Sequence, residues 1–122
     1  LETLLQSIRK AGVDVEGISQ MLSQFDPDWP GVDEWIEQSR DPLSLIASAI
    51  AALLDPDVIV LGGRLPRSLA HKIIPAIELF DDARRQEPRP LPKLMVSQTQ
   101  VDACAIGAAI LPLEKTFFTS II

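Results

Sequence analysis

"DPDVIVLGGRLP", Asp55 to Pro66, decides how this chain is read. A β-branched apolar run, too short for a helix and without clean alternation, enters two glycines, an arginine and a proline. That is the pattern of a strand buried on both faces, as in a parallel sheet. The segment after it, "LPRSLAHKIIPAIELF" (65–80), returns to helical spacing through Leu69, Ile73, Ile77 and Phe80, with Pro75 marking a kink. "EPRPLP" (87–92) reads as a stiff extended linker, "KLMVSQ" (93–98) as a second strand, and "ACAIGAAILPL" (103–113) as a small-residue helix ending at Pro112. Two strands joined through a helix make one right-handed βαβ unit.

Upstream of the strand the pattern is helical. "LETLLQSIRKAG" places Leu1, Leu4, Leu5 and Ile8 on one face and stops at Gly12, a C′ glycine. Val15, Ile18, Met21 and Leu22 suit a second, short helix, and "PDWPG" (27–31) is a turn by its prolines and glycine. From Val32 to Leu54 the apolar positions Val32, Trp35, Ile36, Leu43, Ile46, Ile50, Leu53 and Leu54 suit one long helix, with Asp41-Pro42 the place for a break. Its later half, "LSLIASAIAALL", is apolar nearly all round, and burial against a sheet is expected of it. No internal repeat or low-complexity tract interrupts the chain.

Composition bounds the function. With 122 residues and 47% hydrophobic content, the chain is one domain and too apolar for disorder. A net charge of −6 argues against a nucleic-acid surface within it. Arg84, Arg85 and Arg89 do cluster, but Asp81, Asp82 and Glu87 stand among them, so they read as a solvated helix end. Cys104 is the single cysteine, which excludes an internal disulfide and suits a reducing cytoplasm. One Cys and one His cannot close a zinc site. No apolar run is long enough to span a membrane, and no signal peptide is expected.

Among candidate residues, Gly62 and Gly63 come first. Glycines at the carboxyl end of a parallel strand allow backbone N–H groups to approach a phosphate, and they equally make a tight strand-to-helix turn. No third glycine completes a dinucleotide fingerprint, and no Gly-Lys-Ser/Thr makes a Walker loop. Asp102 is expected to cap the small-residue helix, and Cys104 to be a packed thiol. His71 falls opposite its helix's apolar face. Trp29 and Trp35 could stack a sugar, but a core or interface role fits a helical region better. Asp55 and Asp57, flanking Pro56, suit turn chemistry. No nucleophile–base pair is visible.

"LLDPDVIVLGGRLPRSL", a proline-rich spacer and "PKLMVSQTQVDACAIGAAILPL" together resemble the C-terminal part of the ROK family (repressor, open reading frame, kinase). There an Asn-Pro-Glu, a VIVLGG strand and turn, a helix, a strand and an AxxxGAA helix come in that order. Here Asp55-Pro56-Asp57, Gly62-Gly63 and Ala105 to Ala109 hold those places, and the likeness covers roughly Leu43 to Leu113. Leu1-Glu2 resembles the residues just after the last cysteine of the family's zinc motif.

The resemblance implies an α/β fold: the C-terminal part of an actin/hexokinase-like (ribonuclease H-like) lobe, a βαβ unit with flanking helices. Residues 1–42 would be a helical region, 43–113 the βαβα core and 114–122 a C-terminal tail. Gly107, Ala108 and Ala109 would then lie against the sheet or the long helix. Family kinases bind ATP with a phosphate loop and catalytic aspartate, and sugar with Glu and His near the zinc motif. Those segments are not in this sequence. Gly62 and Gly63 would lie near a nucleotide only in a kinase-like protein, and Arg64 occupies the third glycine's place, so ATP is not expected.

The regulator branch is therefore favoured: a C-terminal fragment of a sugar-responsive transcriptional regulator, completing its effector-binding and oligomerisation domain. The alternative is a fragment of an ATP-dependent sugar kinase, and a blander one is a stand-alone interaction domain. The implied partners are the missing N-terminal part of the same protein, a second copy, and a sugar or sugar-phosphate effector. DNA would be reached only through an N-terminal winged helix-turn-helix outside this chain. The location would be cytoplasmic, without a membrane.

Overall fold

A computed structural model describes residues 1–80, 90–99 and 103–117. Helix α1 (Glu2–Lys10) buries Leu4, Leu5 and Ile8, residues spaced to share one face. It stops at Gly12, whose φ is +98°. The Gly12 N–H donates to the Arg9 carbonyl and the Val13 N–H to the Ile8 carbonyl, each at 3.0 Å. Those two bonds, with glycine in the left-handed position between them, form a Schellman stop. Arg9 pins the next loop by donating from Nε to the Val15 carbonyl at 2.8 Å. Helix α2 (Ile18–Ser23) then delivers Met21 to the interior.

Helix α3 (Val32–Leu54) runs unbroken through Pro42, so the break expected at Asp41-Pro42 does not occur. Pro42 is exposed, where water can serve the carbonyl that lacks its in-helix donor. The boundary drawn between residues 42 and 43 therefore falls inside one helix. Helix α4 (Arg67–Ile73) ends in a 3₁₀ turn at Ile74–Ala76. The helical pattern expected through Ile77 and Phe80 stops at Ala76 instead. Ile77 is extended, and the residues after it meet α3, where the Ser44 Oγ accepts the Glu78 N–H at 2.9 Å and the Ser48 Oγ accepts the Phe80 N–H at 2.8 Å.

Strands β1 (Val58–Leu61) and β2 (Lys93–Val96) pair in parallel, Val58 opposite Lys93 and Leu61 opposite Val96. Among the described residues the sheet has these two strands alone. That overturns the actin/hexokinase-like (ribonuclease H-like) lobe, which needs a larger sheet. The interior is built instead where helices meet: Leu4 and Ile8 of α1, Met21 of α2, Val32 of α3, and Leu69 and Ile73 of α4. Of the strand residues, Leu61 packs against that cluster from its edge.

Two further expectations of burial fail for the same reason. Strand β1 is covered on one face only: Ile59 and Leu61 are half-buried, while Val58 and Val60 are exposed. Leu45, Ile46 and Leu53 in the later half of α3 stand exposed, not buried against the sheet among the described residues.

Helix α5 (Ala103–Phe117) continues past Pro112, where it was expected to end, and so takes in part of the supposed tail. The Thr116 hydroxyl donates to the Pro112 carbonyl at 2.7 Å. Every side chain from Cys104 to Phe117 is exposed. A Cβ added at Gly107 would meet nothing within 4 Å, so among the described residues the close packing expected of Gly107, Ala108 and Ala109 is absent. The arginine cluster at 84–89 and Asp102 lie outside the described residues, as does the chain after Phe117.

Candidate functional site

The turn after β1 is positioned by its neighbour strand. The Leu61 carbonyl accepts the Ser97 N–H at 2.8 Å, which draws the end of β1 onto the end of β2. A Cβ on Gly62 would then lie 2.8 Å from the Ser97 Cβ and 3.3 Å from its Oγ. Real Cβ atoms do not approach so closely. Gly63 has φ +82°, the left-handed region that glycine enters without steric cost. Each glycine thus has a backbone cause, and the glycine pair is explained by the fold. Arg64 comes next in an exposed position, and α4 begins only at Arg67.

Two substitutions and their combination test the contact between Gly62 and Ser97. Gly62→Ala is expected to destabilise the chain by roughly 1–2 kcal/mol through overpacking on Ser97. Ser97→Gly removes the opposing Cβ and is expected to return most of that loss in the double variant. Strictly additive effects in a thermal double-mutant cycle would show that Ser97 is not what Gly62 accommodates.

The remaining candidates take structural positions. Asp55 adopts a left-handed conformation (φ 48°) and closes α3, its N–H donating to the Ala51 carbonyl at 3.2 Å. The Asp57 carbonyl accepts the Lys93 N–H at 3.0 Å, the first rung of the β1–β2 ladder. Both serve turn and strand, as their flanking of Pro56 suggested. Trp29 and Trp35 pack against the helical core. Trp29 meets Phe25 edge-on, with ring centroids 5.9 Å apart, and the Trp35 Nε1–H donates to the Thr3 Oγ1 at 2.9 Å. His71 is exposed on α4, and Cys104 is exposed and not packed as expected.

A cluster invisible to local sequence patterns sits at Lys72. Its Nζ donates to the Pro27 carbonyl at 2.7 Å and to the Asp33 Oδ1 at 2.9 Å, and lies 3.4 Å from the Asp28 Oδ1. Its pKa is raised above the ordinary lysine value, chiefly by the hydrogen bond to Asp33, so it is charged at neutral pH. The cluster fastens α4 to the turn that begins α3. Its partners are far apart in the chain, and no spacing rule could have joined them.

Three shallow depressions are lined by described residues. One of about 520 Å³ opens between the beginnings of the strands, beside Asp55, Asp57 and Lys93. A second, near 550 Å³, lies between α1 and α2, and a third, near 310 Å³, lies beside Trp35, Thr3 and Gln38. None of these three is lined by the glycine turn. Among the described residues no group of three or more His, Cys, Asp or Glu could hold a metal ion. No helix among them is long and apolar enough to cross a membrane.

No family model matches the chain, and no solved structure does. An uncharacterized protein, y4fQ, of Sinorhizobium fredii (strain NBRC 101917 / NGR234) is 28% identical over 118 residues, covering 97% of this chain and 30% of the relative. The chain therefore spans less than a third of the length of the relative it matches.

Proposed function

We propose that these residues belong to a ROK-type, sugar-responsive transcriptional regulator, to which they contribute association surface and part of the effector domain but no catalytic group. The reading rests on the ordered motif from Asp55 to Ala109, a likeness of sequence and not of fold. The observation that carries the choice of regulator over kinase is the turn Gly62-Gly63-Arg64. A phosphate cradle needs open backbone N–H groups and small side chains around them. Here the place of a Gly62 Cβ is taken up by Ser97, and a long cation comes after the second glycine. Gly62 is already required by the strand pair and Gly63 by the left-handed turn, so they are no argument for a nucleotide.

In this reading the acidic chain touches no DNA itself. Operator contact falls to a winged helix-turn-helix elsewhere in the polypeptide. The effector is a sugar or sugar phosphate, and the protein works in the cytoplasm as a homo-oligomer.

The full-length protein is accordingly expected neither to bind nor to hydrolyse ATP, and to change its DNA affinity when sugar is added. A coupled assay for sugar-dependent ADP release, run beside a DNA-binding titration, checks both. ADP release that Gly62→Val abolishes would overturn the proposal in favour of a sugar kinase.

A further inference from the structure

We draw no further inference here: the strongest candidate, the exposed apolar face that Leu45, Ile46 and Leu53 form on the later half of α3, carries nothing, because nothing among the described residues shows what covers it.

Discussion

Gly31→Ala is expected to destabilise the chain by roughly 3 kcal/mol or more, from two causes acting together. The first is conformation: Gly31 has φ +88°, in the left-handed region. The second is space. A Cβ at that position would lie 2.6 Å from the Ser7 carbonyl oxygen, 2.9 Å from its carbon and 3.1 Å from the Ala11 Cβ. The obstacle is mostly backbone, and it is held in place. The Ser7 carbonyl accepts the Ala11 N–H at 3.1 Å within the last turn of α1. The Ser7 hydroxyl meanwhile donates to the Gly31 carbonyl at 2.8 Å, so the two segments are tied at this crossing. Relief requires α1 to move away from α3, and that opens the core at Leu4, Ile8 and Val32. Denaturant unfolding of Gly31→Ala beside Gly12→Ala checks the account. Gly12 has φ +98° but nothing within 4 Å of its Cβ position, so its variant should lose only about 1–2 kcal/mol of backbone strain. Equal losses in the two variants would show that the close approach contributes nothing.

The contrast between those glycines marks what can be read from a sequence. Gly12 was legible, because a Schellman stop is local: an apolar stripe ends and glycine comes next. Gly31 was legible only as part of a turn, since Ser7 meets it through the packing of α1 on α3. The glycines after β1 divide in the same way. A turn was readable at Gly62-Gly63, but the reason for Gly62 lies on the other strand, at Ser97. Lys72, Asp28 and Asp33 give no signal until α4 folds back on α3.

The misread elements share one cause. Apolar content in "VIVL", in "LSLIASAIAALL" and in α5 indicates surface that favours burial, not what is to bury it. The residue pattern, and then the resemblance, assigned that role to a sheet, and the structure instead puts the interior among α1, α2, α3 and α4. Periodicity located the faces of α1 and α4 correctly because contacts within a helix repeat with its own geometry. Proline was the least reliable sign. Pro42 and Pro112 remain within helices, while Pro75 sits in the 3₁₀ turn that closes α4.

Leu69→Ala is expected to cost about 2–5 kcal/mol, near the upper end of that range. Leu69 is wholly buried, with Ala70 and Ile73 beside it almost as deeply, and this face joins α4 to the cluster formed by α1, α2 and α3. Helix α4 has seven residues and no side-chain cap at its N-terminus. A helix that short is marginal alone in water, so packing sustains it. Its other tether, Lys72 on the Pro27 carbonyl and Asp33, is solvent-facing and cannot substitute for a buried leucine. Loss of the Leu69 side chain therefore both opens a cavity and loosens the helix that carries the chain from β1 towards β2. Urea unfolding monitored by the fluorescence of Trp29 and Trp35, both packed on the same core, measures the loss. Leu53→Ala is the matched control: the same atoms are removed from a side chain that is 82% exposed, so a change within about 0.5 kcal/mol is expected. If the two variants unfold at the same urea concentration, α4 is not fastened through Leu69, and the helical core is not where this chain holds its stability.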